Sequence, residues 1–419
     1  KYGFFPSASA GWRISEEAFM EPVKEVISNL KLRASYGFTG NTEIGVYESL
    51  ATLGTSNWIL GNQLVSGFFP NKIPNPDLKW ERTGQFDIGL DLGLFNNRLR
   101  ITTDYYKKKT TDLLYSVAVP ATSGYQTMLK NIGSIENQGY ELSIESDNLT
   151  GAFSWTTAFN IAFNRNKVLE LGGEEYKEMA EGDGHLKTGS VRRLIVGEPI
   201  GVFYGYRFDG IFQNEEECKQ QTSSASPIGV GLRRYKDLNG DGKVDAANDR
   251  EILGDANPKF FGGLTNTFAY KGFELNVFLQ YSYGNKILNY NAMELENPTG
   301  GQNAYADMVN RWTPENPSNI YPKATTNRAL LVSDRFIEDG SYLKLKTLSL
   351  SYSFPKINLK HIQGLRLYVT GQNLLTWTKY RGYDPEVSYR GASTLEAGED
   401  FGGYPQSRTF MFGIKLDIK

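Results

Sequence analysis

The sequence alternates apolar and polar residues over unusually long segments, and a clear example lies between residues 85 and 95. Gln, Asp and Gly residues there separate five apolar ones: Phe86, Ile88, Leu90, Leu92 and Leu94. Because successive side chains of a strand point to opposite faces, this segment predicts a β-strand with one apolar face and one polar face. Asn96-Asn97 predict a tight turn, and the alternation that resumes at Leu99 predicts the second strand of a hairpin.

The same alternation returns along most of the chain, most clearly at residues 153–163, 273–283 and 410–418. Long strands with one apolar face and one face of charges and glycines suit a membrane barrel that encloses water. We therefore predict an all-β fold, a transmembrane antiparallel β-barrel with about eleven strands in this chain. The predicted strands lie at residues 3–14, 28–38, 79–95, 98–115, 137–147, 152–164, 258–270, 273–286, 340–354, 364–378 and 405–418.

The composition fits this prediction and disfavours several other classes. Hydrophobic residues make up 40% of the 419 residues, and no segment approaches the roughly 18 apolar residues of a spanning helix. The aromatic content of 13% suits interfacial girdles, although a soluble β-sandwich or propeller core would also use it. A net charge of -2 argues against nucleic-acid binding, and the single cysteine, Cys218, with two histidines argues against a Cys/His zinc centre.

The connections between the predicted strands alternate between short and long. The short ones are Asn96-Asn97 and residues 147–151, 271–272 and 355–359. The long ones are residues 39–78, 116–136, 165–257, 287–339 and 379–404. Short periplasmic turns and long extracellular loops are typical of outer-membrane barrels.

An odd number of strands indicates where the chain lies in such a barrel. If the short turns are periplasmic, both the first and the last strand run towards the periplasm. A complete bacterial barrel has an even number of strands and both ends in the periplasm, and open edges in lipid cost several kcal/mol per unpaired backbone group. We therefore expect residues 1–419 to be the C-terminal half of one barrel domain, completed by residues upstream or by another chain.

Several segments occur in the order typical of one family. They are Phe4-Phe5-Pro6-Ser7 with Gly11-Trp12-Arg13, residues 30–37, Gly40-Asn41, residues 237–250, Leu253-Gly254, residues 336–343, Tyr383-Asp384-Pro385-Glu386 and residues 404–410. Through them the chain resembles the C-terminal part of the SusC/RagA family, the TonB-dependent outer-membrane transporters of Bacteroidetes.

The resemblance implies a 22-stranded barrel in the bacterial outer membrane, plugged by an N-terminal domain. It implies import of a large nutrient, a glycan or an oligopeptide, with energy from TonB and with a SusD-like surface lipoprotein as a lid. The signal peptide, TonB box, plug and first barrel half of the family have no counterpart in residues 1–419.

The long loop at residues 208–258 contains a segment similar to an EF-hand calcium loop. Asp237, Asn239 and Asp241 occupy ligand positions 1, 3 and 5, glycine follows at 6, and the Lys243 carbonyl stands at 7. Asn248 falls at position 12, where an acidic residue is expected, so Asp249 closes the loop only if Ala246-Ala247 bulge outward.

We predict from this segment a structural Ca²⁺ site, with Mg²⁺ as the alternative. Its ligands would be Asp237, Asn239, Asp241, Lys243, Asp245 and Asp249. The simpler interpretation is an Asx-rich turn without an ion. The other long loop, at residues 287–339, contains a predicted short helix within residues 303–317, ended by proline.

Two further groups of residues are candidates for contacts with a ligand or with a plug. The aromatic candidates in the outer loops are Trp58, Phe68, Phe69, Tyr305, Trp377 and Tyr380, each of which would otherwise belong to a girdle or a loop core. The candidates on the inner face of the wall are Asp87, Asp91, Arg100, Asp104, Glu274 and Gln280, which would otherwise simply be solvated.

No catalytic constellation is visible in the sequence. His185 and His361 lie far apart, and neither stands in a Ser/His/Asp pattern. The sequence therefore favours a transporter over an enzyme. Two alternatives stay open: an outer-membrane barrel hydrolase with catalytic residues in its loops, and a soluble secreted β-rich carbohydrate-binding protein.

Overall fold

One antiparallel sheet of eleven strands dominates the computed structural model, and each strand pairs with the next one of the sheet along the chain. The structure describes residues 3–41, 49–123, 125, 127–179, 182, 185–186, 188–297, 303–326, 330–354, 362–386, 388–391, 393 and 395–418. The strands of the sheet are Ser7–Arg13, Ile27–Asn41, Glu81–Leu94, Leu99–Thr111, Ser134–Thr150, Phe153–Glu170, Phe260–Tyr270, Phe273–Tyr283, Tyr342–Phe354, Ile362–Thr378 and Thr409–Ile418. The prediction of an all-β fold with about eleven long strands is confirmed.

The short turns join neighbouring strands at one end of the sheet. Phe95, Asn96 and Asn97 have φ values of 53°, 56° and 60°, a left-handed conformation that asparagine tolerates better than most residues. Lys271 and Gly272, with φ values of 46° and 88°, form an equally tight turn. The predicted turn at residues 355–359 lies outside the described residues.

The apolar face of the sheet carries a row of aromatic residues near the long loops. Tyr105 lies opposite Tyr140, which lies opposite Phe163 on the next strand. The Phe163 and Phe260 rings are 5.8 Å apart, and Phe260 lies opposite Tyr283. These residues form the outer aromatic row, which crosses five adjacent strands.

A second aromatic row crosses the same face near the short turns. Phe153 lies opposite Tyr270, which in turn lies opposite Phe273, and Phe273 lies opposite Tyr352. On three strands the two rows are ten residues apart, which is about 34 Å along a strand and about 26 Å across a membrane for a tilt of about 40°. That height matches the apolar band of about 25 Å in outer-membrane barrels.

The opposite face of the sheet is polar and carries ion pairs between neighbouring strands. Arg33 Nε donates to Asp91 Oδ2 at 3.0 Å, and Arg33 Nη2 lies 2.9 Å from Asp104 Oδ1. These three side chains keep between 23% and 31% of their surface exposed. The predicted division into an apolar and a polar face therefore describes the observed sheet.

The connections at the other end contain structure that the sequence did not predict. The hairpin Thr52–Leu60 with Gln63–Lys72 lies in a segment predicted as a loop. The hairpin Leu114–Ala118 with Thr127–Asn131 also lies mostly in a predicted loop, but Leu114 and Tyr115 belong to the strand predicted at 98–115, which ends at Thr111. The other short strands are Tyr176–Glu178, Arg193–Ile195, Val202–Tyr206, Phe208–Ile211, Thr222–Ser223, Arg233–Tyr235, Lys243–Val244, Arg250–Asp255, Lys286–Asn289, Ile337–Asp339 and Glu399–Asp400.

Helices are few and short in the described residues. The α-helices are Glu215–Gln220 and Tyr290–Leu295, and the 3₁₀ helices are Ile14–Glu16, Ala18–Val23, Ala121–Ser123, Ala306–Asn310 and Asp334–Phe336. The predicted helix within residues 303–317 is the single 3₁₀ segment Ala306–Asn310, which ends well before Pro314. No helix in the described ranges is long and apolar enough to cross a membrane.

Candidate functional site

Three consecutive long connections pack together into one compact body at the long-loop end of the sheet. We call this body the outer-loop cap, formed by the described parts of residues 171–259, 284–341 and 379–408. Its largest core draws on the first two connections, and Phe401 of the third packs against it. The buried members of this core are Leu186, Val191, Phe203, Leu253, Leu288, Tyr290, Ala292, Met293, Leu330, Val332 and Phe336.

Backbone pairing also joins the second and third connections of the cap. Lys286–Asn289 pairs antiparallel with Ile337–Asp339 on one side and parallel with Glu399–Asp400 on the other. The short strand Glu399–Asp400 thereby delivers two acidic side chains into the interior, where both residues are 1% exposed.

An ion pair with both side chains 2% exposed connects the first and third connections. Arg192 Nε donates to Glu399 Oε1 at 2.9 Å, and Arg192 Nη1 donates to the carbonyl oxygen of Gly201 at 2.8 Å. Tyr290 and Arg390 donate to the other carboxylate oxygen of Glu399. Because Glu399 joins Arg192 and Tyr290, which are distant in sequence from it and from each other, it fixes the arrangement of the cap.

A second buried carboxylate, Glu296, lies between two arginines. Arg335 Nε donates to its Oε2 at 2.9 Å, and Arg381 Nη1 donates to its Oε1 at 2.9 Å. The Glu296 side chain is 0% exposed. Burial opposes the charge of Arg381, but hydrogen bonds to Glu338 and Glu296 outweigh it and raise the pKa of Arg381 above its ordinary value.

The cap is anchored to the polar face of the sheet through a buried lysine. Lys344 Nζ, on the ninth strand of the sheet, donates to Asp384 Oδ1 at 2.7 Å and also to Glu386 Oε2. Burial disfavours ionisation of both acids. The hydrogen bonds from Lys344 nevertheless prevail and lower the pKa values of Asp384 and Glu386.

The calcium-like segment folds as a compact turn around its own carboxylates. Asp237 accepts hydrogen bonds from the backbone nitrogens of Gly240 and Gly242, both at 2.7 Å. Asp241 Oδ1 accepts from the Lys243 nitrogen at 2.8 Å, and Asn239 Oδ1 accepts from the Asp241 nitrogen at 3.2 Å. Asp237, Asn239 and Asp241 thus share one turn, as the motif predicts.

Asp249 closes this turn from position 13 of the motif. Its carboxylate is 0% exposed and accepts from the backbone nitrogens of Leu238 and Asp245, both at 2.7 Å. Asp245 in turn accepts from the nitrogens of Ala247 and Asn248. Asp249 thus closes the turn through hydrogen bonds from position 13, and its role as a metal ligand stays a prediction.

The donor chemistry of this turn fits a hard cation, and in the structure its carboxylates accept backbone hydrogen bonds. Asp237, Asn239 and Asp241 offer oxygen donors, and Asp249 is a buried carboxylate without an ion pair inside the described part of the chain. Across the described ranges, however, no group of three or more His, Cys, Asp or Glu side chains converges as a metal site does. The Lys243 side chain bonds Asp245 at 3.2 Å. Calcium binding stays a prediction.

The aromatic candidates fall into three environments. Trp58, Phe68 and Phe69 lie on the hairpin Thr52–Leu60 with Gln63–Lys72 and are 63%, 73% and 43% exposed. Trp377 is half exposed on the apolar face and lines one cleft with Tyr283 of the outer aromatic row.

The other two aromatic candidates belong to the cap. Tyr305 packs against its core, and Tyr380 is 5% exposed with its hydroxyl donating to Asp400 Oδ2 at 2.5 Å. Burial, followed by that hydrogen bond, raises the pKa of Tyr380. Of the six aromatic candidates, the three on the hairpin include the most exposed rings.

The inner-face candidates lie on the polar face, and most have partners. Asp91 and Asp104 share Arg33, and Arg100 Nε donates to Glu145 at 3.0 Å. Glu274 pairs with Arg366 at 2.6 Å, and Gln280 donates to Glu386 at 2.9 Å. Asp87 lies opposite Ser35 and Tyr106 in the strand register.

Among the described residues, no catalytic group surrounds His185 or Cys218. His185 lies 3.6 Å from Glu294, and burial raises the pKa of the Cys218 thiol. His361 lies outside the described residues. No motif in the sequence singles out Arg192 and Glu399, because they are 207 positions apart and only the folded loops bring them together.

Comparisons with known proteins agree with this architecture. Residues 1–374 match the family model described as TonB dependent receptor-like, beta-barrel. TonB-dependent receptor P3 of Formosa agariphila is 40% identical over 423 residues, which cover 99% of this chain and 42% of that protein. TonB-dependent receptor SusC of Bacteroides thetaiotaomicron is 31% identical over 437 residues, which cover 100% of this chain and 40% of that protein.

A solved structure, that of the RagAB peptide transporter, gives a TM-score of 0.79 at 28% identity and covers 98% of this chain and 43% of that chain. The chain thus spans about two fifths of the length of the relatives it matches. The matched relatives are TonB-dependent receptors and a peptide transporter.

Proposed function

This chain belongs to the TonB-dependent receptor β-barrel family and is a SusC/RagA-like member of it, and we propose that it forms the C-terminal half of a nutrient importer. The members of this family are outer-membrane proteins, and the eleven-stranded sheet is barrel wall that spans this membrane. In the complete importer this wall would form half of a 22-stranded barrel closed around an N-terminal plug.

The single observation that best supports import is the pairing of a two-faced wall with a rigid cap at one end. The wall presents apolar side chains to lipid and polar side chains to a lumen. The cap stands over the long-loop end and is anchored to the lumen face through Lys344. A cap fixed in this way can bind a large solute at the mouth of the barrel.

In the proposed mechanism, the outer loops and a SusD-like lipoprotein enclose a glycan or an oligopeptide, and TonB then displaces the plug. The similarity to SusC and to the RagAB peptide transporter motivates both substrate classes and the lipoprotein lid. Passage needs no bond making or breaking, so we propose that the protein is not an enzyme.

Uptake by the full-length gene product tests this proposal. The protein would be produced in the outer membrane of a Bacteroidetes host that lacks its own copy, and uptake of fluorescent glycans and oligopeptides would be measured. We expect uptake of one class that stops with a protonophore or without TonB. Uptake that continues without TonB, or hydrolysis of these substrates by the purified protein, would contradict the proposal.

We also propose that the turn at residues 237–249 binds a structural Ca²⁺ ion, or Mg²⁺ in its place. Asp237, Asn239, Asp241, the Lys243 carbonyl, Asp245 and the buried Asp249 would hold it, and its effect would be to stiffen the cap. Chelation should increase proteolysis near residues 237–249, and added Ca²⁺ should restore resistance. Asp241→Asn should respond less to Ca²⁺, whereas equal proteolysis with and without chelator would exclude the site.

A further inference from the structure

Cations cluster on the lipid-facing side of the wall, just beyond the outer aromatic row. Two residues above Tyr105 and Tyr140, and on the same face, the register places Lys107 opposite Gln138 and Gln138 opposite Arg165. Another two residues higher, again on this face, Lys109 and Lys167 flank Glu136 from the two neighbouring strands. The cations therefore begin where the apolar face ends, at the level of the membrane surface.

A cleft next to these cations combines an aromatic floor with a basic rim. Its volume is about 320 Å³. The Arg82 guanidinium lies 3.8 Å from the centre of the Phe38 ring, and the Tyr36 and Phe38 rings are 5.3 Å apart. The lining residues are Tyr36, Phe38, Arg82, Gly84, Phe86, Lys107, Lys109 and Thr111. A long molecule with an apolar body and an anionic end matches both parts of the cleft.

The positive charge of this patch exceeds what its own acids neutralise. Lys107 Nζ lies 3.1 Å from Glu136 Oε2, the one ion pair of the patch among the described residues. Lys109, Arg165 and Lys167 form no ion pair within the described ranges. One more acid, Glu170, lies three residues beyond Lys167, opposite Ser134. Five cations, Arg82 included, thus face two carboxylates.

The cluster is local rather than a general property of the rim. The two strands that follow on the same wall, Phe260–Tyr270 and Phe273–Tyr283, end at the outer aromatic row, and the residues two positions beyond Phe260 and Tyr283 are Pro258 and Asn285 rather than cations. They present Phe260 and Tyr283 at the corresponding end. A strand end at the membrane surface therefore does not need this many cations.

We propose that Arg82, Lys107, Lys109, Arg165 and Lys167 form a binding site for a phosphate-bearing glycolipid of the outer leaflet. Its acyl chains lie along the apolar strands below the outer aromatic row, and its phosphate lies among the cations, where water is partly excluded and charge-assisted hydrogen bonds are strong. The site rests on the membrane placement of the wall and is independent of transport.

Native mass spectrometry of the delipidated full-length protein in detergent tests the site. The probes are monophosphoryl lipid A, the same lipid without phosphate, and inorganic phosphate. We expect the phosphorylated lipid to bind at least about tenfold more tightly than the dephosphorylated lipid, since each cation near an anionic lipid contributes severalfold. Equal affinity for the two lipids, or displacement of the lipid by equimolar inorganic phosphate, would overturn the proposal.

Matched variants separate the patch from general effects on folding. Lys109→Gln combined with Lys167→Gln should weaken binding at least about tenfold, whereas Lys109→Arg should keep it. Lys108→Gln is the control, because Lys108 lies on the same strand but on the lumen face and should bind like the wild type. Loss of binding in the control, or unchanged binding in the double variant, would contradict the site.

Discussion

The wall and the outer-loop cap use the same kinds of residue in opposite ways. The wall exposes its large apolar residues: Phe273 is 52% exposed and Ile414 is 69% exposed. The cap buries its apolar residues, and Phe203 and Phe336 are 0% exposed. The surface of the wall therefore suits contact with lipid, and that of the cap suits contact with water.

The charged residues differ in the same sense. On the lumen face, Arg33 and its two aspartates stay partly solvated, whereas Arg192 and Glu399 in the cap are almost completely buried. Arg33 left unpaired on the lumen face can regain water, but Arg192 left unpaired in the cap cannot. The cap should therefore depend far more on individual ion pairs than the wall does.

The largest expected effect comes from breaking the buried pair of the cap. Glu399→Gln leaves Arg192 without a carboxylate and should destabilise the cap by about 3 kcal/mol or more. Hydrogen exchange of the full-length protein should show faster exchange in the cap and unchanged exchange in the wall strands. Glu396→Gln is the control, because Glu396 is 29% exposed and also pairs with Arg390. Equal effects of the two variants would refute this contrast.

A charge on the lipid face should have the next largest effect. Val277 lies on the apolar face, near the middle of the strand Phe273–Tyr283, so Val277→Lys should destabilise the folded barrel by about 2 to 4 kcal/mol. The adjacent variant Asn276→Lys places the same charge on the lumen face and should cost about 1 kcal/mol or less. Urea unfolding in lipid vesicles measures both, and a reversed order would mean that the faces are wrongly assigned.

Acid should loosen the anchor between the cap and the wall. The folded pKa values of Asp384 and Glu386 lie below their ordinary values of 3.8 and 4.5, so their contribution to stability is complete above those values. This contribution is lost as the pH falls from these ordinary values through the lower pKa values that the two acids have in the folded protein. Proteolysis of residues 379–408 with an acid-active protease should rise over this range. In Lys344→Met the anchor is already weakened at neutral pH, so cleavage should be higher there and should rise less on acidification, and identical profiles would contradict the anchor.

The smallest effect is expected for an ion pair on the lumen face. Asp104→Asn removes one of the two partners of Arg33 and should change the free energy of unfolding by less than about 1 kcal/mol, because these side chains are partly solvated. Urea unfolding of the full-length protein would measure it. A cost as large as that of Glu399→Gln would remove the proposed difference between wall and cap.

The positions of the wall strands follow from the sequence because a period of two residues is a local signal. Strands predicted at 258–270 and 364–378 appear as Phe260–Tyr270 and Ile362–Thr378. The strands Ser134–Thr150 and Phe153–Glu170 are longer than predicted at the long-loop end, where their alternation includes polar residues on both faces. The hairpin Thr52–Leu60 with Gln63–Lys72 was missed because its two faces carry mixed side chains.

The candidate site was only partly predictable. The spacing of Asp237, Asn239 and Asp241 identified a turn, and Asp249, which closes it through hydrogen bonds, lies in the same short segment. The ion pairs of Glu296 and Glu399 gave no comparable signal. They join residues from different loops, and single arginines and glutamates in a polar loop look alike whether they are buried or solvated.

The sequence by itself determined the two-faced wall, the alternation of short turns and long loops and the family, since these depend on spacing along the chain. The tertiary structure alone decided which loops form the cap, which charges lie buried there and which cations meet on the lipid-facing rim. Those features depend on strand register and loop packing. They bring together residues such as Lys109 and Lys167, which are neighbours only when the strand between them is in place.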